Sequence, residues 1–274
     1  MLKYPSALSR RYFWTLCLLT LLSAAFRHPN ACAQNPNASV QTRTESPYYA
    51  RVNTFGVFGA YSGDSSHILL GAAQNRKLLE FGVSYDRRLL VNHIVNWQYS
   101  GEILPVALES DPVEVIASST TTTFTSNPSQ PITVTENFST PIVSACQPAS
   151  GSGSGSTPTS SYSYTYAITC SRQWTVGEAM SPVGFVWNFL PRHSKQPFLT
   201  AHGGYMYSTQ PIPVQAAGSF NFTFDIGAGL EVYRTKTKSI RFEYRYHHIS
   251  NHNTANANPG IDNGLFQATY AFGR

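Results

Sequence analysis

The chain has 274 residues, of which only 12% are charged, while tyrosine and phenylalanine number sixteen each. Four basic residues near the start, Lys3, Arg10, Arg11 and Arg27, supply most of the formal net charge of +5. Taking these four from the 19 Lys and Arg leaves 15 against 14 Asp and Glu, so the remainder lacks the basic surplus that a nucleic-acid partner would require.

Residues 1–33 have the pattern of a secretory signal peptide. Lys3, Arg10 and Arg11 precede an apolar run, residues 12–26, and a small-residue cleavage site, Ala31-Cys32-Ala33, follows it. The run is shorter than the roughly twenty residues of a membrane-spanning helix. We therefore expect residues 34–274 to be exported, and an aromatic, weakly charged exported chain predicts either a secreted β-sandwich or an outer-membrane β-barrel.

Eight later segments, each about ten residues long, alternate apolar and polar residues as strands do. They cover residues 52–62, 78–88, 94–104, 176–189, 197–207, 220–233, 239–249 and 264–272. The connections after the second, fourth and sixth segments are short, whereas the others are longer and rich in Gly, Ser, Asn and Pro. Short periplasmic turns alternating with longer extracellular loops are typical of membrane barrels. The sequence therefore predicts an all-β fold, an eight-stranded antiparallel transmembrane up-and-down β-barrel with one long extracellular insertion.

The insertion covers residues 105–175 and is rich in Ser, Thr and Gly. Within it, the Gly-Ser repeat of residues 151–156 predicts a flexible linker. Cys146 and Cys170 flank the repeat, and an even pair of cysteines in an exported chain favours a disulfide.

Alternating tyrosines follow the repeat, at Tyr162, Tyr164 and Tyr166. They are open to three interpretations. They could extend the barrel wall beyond the membrane, lie in a solvated loop, or pair with residues 132–138 as membrane-crossing strands, which would give a ten-stranded barrel.

The seventh segment and the loop after it hold the candidate catalytic residues. Strand parity directs Arg241, Glu243 and Arg245 into the barrel. The outward, lipid-facing side then consists of three candidate substrate contacts and two polar residues at the extracellular rim: Phe242, Tyr244, Tyr246, His248 and Ser250.

Alternate strand positions bring His248 and Ser250 close enough for the imidazole to take the hydroxyl proton. Asp262, after the Pro259-Gly260 turn, can hold the other ring nitrogen, and Asn251 can donate to an oxyanion. A polar rim without catalysis is the alternative that the residues leave open. His247 has the opposite parity to His248, so no metal site is expected, and the chemistry requires no cofactor.

The pattern His248-Ile249-Ser250-Asn251, then Asn258-Pro259-Gly260-Ile261 and an acid fourteen positions after the histidine, resembles the PagL-type lipid A 3-O-deacylases. Residues 99–105 and 184–189 add to the likeness. The resemblance implies an eight-stranded outer-membrane barrel with Ser250 as nucleophile, His248 as base, Asp262 as orienting acid and Asn251 as oxyanion contributor. The family has Glu at the acid position, where this chain has Asp.

The resemblance further implies a bacterial outer-membrane enzyme, a carboxylic ester hydrolase that removes an ester-linked acyl chain from lipid A. Its partners would be the lipopolysaccharide of the outer leaflet and the membrane itself, and a homodimer is left open. Two alternatives remain at this stage. One is a phospholipid esterase with the same residues, and the other is a non-enzymatic barrel whose large extracellular loop binds a surface or partner.

Overall fold

The computed structural model describes residues 47–65, 68–125, 130–143 and 146–274, so the predicted signal peptide lies outside the described residues. Ten strands form one antiparallel sheet: β1 (Asn53–Ser65), β2 (Arg76–Val91), β3 (Val95–Phe124), β4 (Ile132–Val143), β5 (Ala149–Thr157), β6 (Ser160–Phe189), β7 (Lys195–Ser208), β8 (Phe220–Thr235), β9 (Lys238–Ser250) and β10 (Ile261–Gly273). A short 3-10 helix, Gln215–Ala217, precedes β8. In these ranges we find no helix of the length and apolarity that a membrane crossing requires.

Eight of the strands close into a ring. β1 pairs with β10, and β3 pairs with β6, so the wall runs β1-β2-β3-β6-β7-β8-β9-β10 and returns to β1. Each of the eight predicted segments falls on one of these strands, and the predicted eight-stranded barrel is confirmed. The ten-stranded alternative is wrong, because β4 and β5 pair only with the parts of β3 and β6 that lie beyond the ring.

The wall has an apolar outside and a polar inside, as a period of two requires when lipid lies on one face. Outward side chains that are exposed include Phe55, Val57, Phe81, Val83, Ile226, Ile240, Phe242 and Phe266. Arg241, Glu243 and Arg245 are buried inside the ring, as predicted. The free space beside them is only about 10 Å³, so side chains rather than water fill this narrow barrel.

Paired charges account for much of the interior. Arg245 donates to both oxygens of Glu102 at 2.8 Å and to Glu243 at 2.8 Å. Arg241 donates to Asp86 at 2.6 Å, and each of these groups is at least nine-tenths buried. Such bidentate pairing offsets the desolvation of the charges.

Beyond the ring, the sheet continues as a projection that we call the arm. The last β3 pair with β2 is Ser110 with Lys77, yet β3 goes on pairing with β6 as far as Phe124 and Ser160. β4 and β5 add one strand on each side, giving the order β4-β3-β6-β5. The arm is thus defined as β4, β5 and the parts of β3 and β6 that pair with them.

The prediction of a flexible linker is wrong for the Gly-Ser repeat, which is part of the arm. Residues 151–156 lie within β5, which pairs with β6 from Ala149 to Thr157. A disulfide joins Cys146 to Cys170 with a Cα–Cα distance of 5.7 Å, and so links the start of the β5 segment to β6. The described part of the insertion is therefore a paired sheet, in which the Gly-Ser repeat is held by its pairing with β6 and not by its own propensity.

Candidate active site

Strand parity places the candidate catalytic residues on the outer side of the rim. Along β9, Phe242 and Tyr244 are exposed, and Tyr246, His248 and Ser250 continue the same face as half-buried residues. The residues between them point into the barrel. Among the histidines, His247 is buried inside while His248 faces outward.

His248 and Asp262 form a hydrogen-bonded pair across two strands. The β9–β10 register sets them directly opposite each other, and His248 Nδ1 lies 2.7 Å from Asp262 Oδ1. The histidine side chain is 13% exposed, whereas the carboxylate is fully buried. With Nδ1 bonded to a carboxylate, Nε2 is the nitrogen left to accept a proton.

Additional donors fix Asp262 in place. The Tyr246 hydroxyl donates to Asp262 Oδ1 at 2.8 Å. The backbone N–H groups of Ile68, Leu69 and Leu70 donate to Oδ2 at 3.2, 2.7 and 2.9 Å. Hydrogen bonds to a carboxylate favour its charged form, so this buried acid is held ionised and in one orientation.

The loop between β1 and β2 supplies those backbone donors because it packs closely on β10. Gly71 permits the approach, since a Cβ at this position would lie 2.6 Å from the Asp262 backbone nitrogen. The next residues continue the contact, with Ala72 N donating to Pro259 O at 2.6 Å and Ala73 N to Gly260 O at 3.1 Å. The sequence analysis did not predict this part of the site, because the loop lies about 190 positions from the acid with which it forms hydrogen bonds.

Ser250 is the last residue of β9 and pairs with Phe222 of β8. It lies two positions from His248 on the same face, which corresponds to about 7 Å along a strand. In the described part of the chain, its hydroxyl makes no hydrogen bond to His248 or to another side chain. The hydrogen bond between Oγ and Nε2 that the proposed chemistry uses would therefore have to form on substrate binding, as is common in sites without substrate.

Asn251 is engaged in the rim loop. Its side-chain amide donates to the carbonyls of Ala217 and Ala257, and its backbone N–H donates to Asn258 Oδ1 at 3.1 Å. These bonds tie the loop after β9 to the helix before β8. An oxyanion role for Asn251 would thus require one of these bonds to break.

A groove runs down the outer wall below the rim. It has a volume of about 300 Å³ and is lined by Tyr61, Leu79, Phe81, Phe242 and Phe266, with Gly59, Ala60 and Ala268 beside them. Of the three residues that were predicted to contact substrate, Phe242 lines this groove and Tyr244 packs on Phe266 with ring centroids 4.9 Å apart. Tyr246 instead uses its hydroxyl to hold Asp262.

A second serine, histidine and aspartate meet inside the barrel. His202 Nδ1 lies 2.9 Å from Asp225 Oδ1, and His202 Nε2 lies 3.1 Å from Ser100 Oγ. Ser100, however, donates its proton to Asp86 at 2.7 Å, so it cannot also give that proton to the imidazole. The adjoining space of about 10 Å³ holds at most one water molecule, and we assign this cluster to the interior of the fold.

Part of that cluster resembles a metal site in its donor types. Glu102, His202 and Asp225 each offer one ligand atom within 4.8 Å of the others. The Arg245 guanidinium bonds to Glu102 at 2.8 Å and lies 3.7 Å from Asp225. Because this cation already neutralises the carboxylates, the donor set does not call for a metal ion.

Comparison with known proteins adds independent findings. The family model described as lipid A 3-O-deacylase (PagL) matches residues 149–271. The chain matches no curated protein sequence. The crystal structure of the outer-membrane enzyme PagL is 14% identical, with 80% of this chain and 99% of that chain covered and a TM-score of 0.44. The crystal structure of Neisserial surface protein A is 10% identical, with 81% of this chain and 97% of that chain covered and a TM-score of 0.39.

The family match begins at β5 and ends in β10, and therefore includes His248, Ser250 and Asp262. The structural likenesses are weak, and the closed wall with its apolar outside is evident from the strand pairing itself. The resemblance to the lipid A 3-O-deacylase (PagL) family is thereby confirmed over residues 149–271, and the chain is an outer-membrane β-barrel that is similar to that family over this range.

Proposed function

We propose that this protein is an outer-membrane esterase that hydrolyses an ester-linked acyl chain of lipid A. The observation that carries the proposal is the bond between His248 and the buried Asp262 on the lipid-facing side of the rim. Substrates that reach this side come from the outer leaflet. The family match supports lipid A as the class of substrate.

The reaction would proceed by acyl transfer to Ser250. His248 Nε2 takes the proton from Ser250 Oγ while the oxygen attacks the ester carbonyl. The tetrahedral intermediate collapses, the sugar oxygen leaves with the proton from His248, and an acyl-enzyme remains. A water molecule, deprotonated by His248, then releases the fatty acid and restores Ser250. Throughout, Asp262 keeps the imidazole in the tautomer that accepts at Nε2.

The outer-wall groove supports this orientation of the substrate. Its aromatic lining, including Phe242 and Phe266, lies below the rim on the same face as Ser250. An acyl chain laid in the groove would extend toward the membrane while its ester remained near the rim. Burial of the chain would contribute about 25 cal/mol per Å² of apolar surface covered.

The test is mass spectrometry of lipid A from a bacterial host that lacks such an enzyme. Expression of the wild-type chain should remove one acyl chain, whereas Ser250→Ala and His248→Ala should leave lipid A intact. His93→Ala, at an exposed histidine in the β2–β3 turn, is the matched control and should keep full activity. All variants should show the same shift in gel mobility on heating, because the mutated side chains do not pack inside the wall.

Three outcomes would replace the proposal. Full activity in Ser250→Ala would end the serine mechanism. Release of fatty acid from phospholipid with lipid A unchanged would assign the same residues to another substrate. If the wild-type chain hydrolyses neither lipid, the protein is a non-enzymatic barrel.

A further inference from the structure

The arm is an amphipathic sheet with an unusual division of residues between its faces. The even-numbered residues of β6 share one face with apolar residues of β4, and exposed members of this face are Phe124, Ile132, Val134, Phe138, Tyr162, Tyr164 and Tyr166. The opposite face is built from Ser and Thr, including Thr121, Thr123, Ser161, Ser163 and Thr165. We call the first of these the tyrosine face.

The tyrosine face continues the lipid-facing side of the wall. Trp174 and Val176 are exposed on the outside of the barrel, at 57% and 46%. They have the same parity as Tyr162, Tyr164 and Tyr166, and the β3–β6 pairing has no irregularity between the two groups. The face is therefore directed toward the molecules that surround the barrel, just beyond the point where the wall leaves the lipid.

The three tyrosine rings lie across the sheet rather than standing up from it. Each pairs with a glycine of β5: Tyr166 with Gly151, Tyr164 with Gly153 and Tyr162 with Gly155. A Cβ on any of these glycines would approach the paired ring to 2.7 Å or less. The rings thus occupy the space that a β5 side chain would take. Their outer surfaces stay open, with exposures of 43%, 41% and 39% for Tyr162, Tyr164 and Tyr166.

Hydroxyl groups border this row of flat rings. Ser118, Thr120 and Thr122 of β3 pair with Tyr166, Tyr164 and Tyr162 on the same face. The tyrosines repeat about every 7 Å along the strand, a spacing comparable to the length of a sugar ring. Glu114 and Glu136 are the acidic residues of the described arm strands, and these strands contain no basic residue, which argues against nucleic acid or an acidic peptide as ligand.

Flat aromatic surfaces beside hydroxyl groups suit a chain of sugars. The C–H face of a pyranose stacks on an aromatic ring, while its hydroxyls exchange hydrogen bonds with serine, threonine and tyrosine. An acyl chain would not use the hydroxyl row, and it lies deeper in the membrane than the arm. We propose that the tyrosine face binds the polysaccharide part of the lipopolysaccharides around the barrel.

This binding is independent of the reaction at the rim. In the ring, two strands separate the β3–β6 pair from the β9–β10 pair in either direction, so the arm and the candidate active site face opposite sides of the barrel. The polysaccharide on the arm thus belongs to a neighbouring lipopolysaccharide. Loss of catalysis and loss of polysaccharide binding can be measured separately.

The experiment uses the full-length protein in detergent and polysaccharide freed of lipid A by mild acid. Calorimetry should detect binding to the wild-type chain. Changing Tyr162, Tyr164 and Tyr166 together to Leu should weaken it by about tenfold or more, because the stacking surfaces are lost while the glycines stay covered. The matched control is Ser161, Ser163 and Thr165 changed together to Ala on the opposite face, which should bind as the wild type does.

Ser250→Ala should also bind normally, and the leucine variant should still deacylate lipid A if the rim is the active site. Protease resistance of the arm must be equal in the leucine variant and its control, which excludes unfolding as the cause. Three results would overturn the proposal: no binding to the wild-type chain, equal binding by the leucine variant, or a fall in oligomer mass in that variant without a change in binding. The last would show that the tyrosine face joins two copies of the chain.

Discussion

Asp262, the acid of the candidate triad, has several hydrogen-bond partners besides the histidine. Asp262 accepts bonds from Tyr246, His248 and three backbone N–H groups of the β1–β2 loop. The loop closes on the carboxylate, so a side chain as short as that of Asp is sufficient at this position. Two predictions at the residue scale follow from this arrangement.

Tyr246→Phe removes one hydrogen bond to the ionised carboxylate. Bonds to charged groups are worth about 1.5–3 kcal/mol, and we expect kcat to fall about tenfold with KM little changed, because the tyrosine orients Asp262 and does not bind the ester. Steady-state rates on lipid A in detergent would measure this. Tyr244→Phe, at an exposed neighbour on the same face, is the control, and an equal loss in both variants would point to substrate contact instead.

Asp262→Asn should lower kcat on the order of 10²–10⁴-fold through loss of the oriented imidazole. Asp262→Glu should also reduce activity, because the Asp262 carboxylate is fully buried and Gly71 packs against the Asp262 backbone. The longer acid would push the loop away. Both rates can be measured on the folded, heat-shifted protein.

If Asp262→Glu matches or exceeds the wild-type rate, the loop adapts to the longer side chain and the explanation of the short acid is wrong. If Asp262→Asn retains full activity, the third role belongs to another residue.

At the scale of strands, the success of prediction from sequence depended on the environment of the two faces of each strand. The wall strands could be predicted because lipid outside and charge inside impose alternation on every residue, as Phe242 beside Arg241 illustrates. Much of the arm consists of Ser, Thr and Gly, and the Gly-Ser repeat of β5 resembles a linker. Its pairing depends on contacts such as Gly153 with Tyr164, which no local pattern reveals.

The residues of the candidate site also fall into those that the sequence predicted and those that it did not. His248, Ser250 and Asp262 could be predicted from spacing and resemblance, since they lie within fifteen positions. The donors from Ile68, Leu69 and Leu70 could not, because backbone groups have no residue signature and the β1–β10 pairing alone brings them near. The engagement of Asn251 in its own loop was equally invisible.

The disulfide gives a prediction at this scale. Changing both Cys146 and Cys170 to Ser should leave the ring assembled, because neither residue pairs within the wall. The disulfide joins residues that are 24 positions apart. Because its loss gives the unfolded chain more conformational entropy, the arm should be destabilised by about 3 kcal/mol. Limited proteolysis should then cut near β5 in the variant and spare the wild type. A variant that loses the heat-dependent gel shift would contradict the separation of arm and ring.

For the whole molecule, the interior charges set the stability of the barrel. Arg245→Met leaves Glu102 and Glu243 buried without their cation, and breaking such a buried pair costs roughly 3–5 kcal/mol. The folded gel band should therefore disappear at a lower temperature than in the wild type, while activity at room temperature is retained because the rim is not involved. Arg234→Met, at an exposed position near the end of β8, is the control. An unchanged transition in Arg245→Met would show that the network contributes little.

The contact between the β1–β2 loop and Asp262 also ties the candidate active site to the closure of the barrel. β1 and β10 are the first and last strands of the ring, and they meet only when the wall seals. Before β1 and β10 pair, the β1–β2 loop cannot donate hydrogen bonds to Asp262, and the tautomer of His248 is not fixed. In the proposed esterase, a chain in which β1 and β10 have not yet paired would therefore lack the oriented imidazole, and closure of the ring would complete the active site.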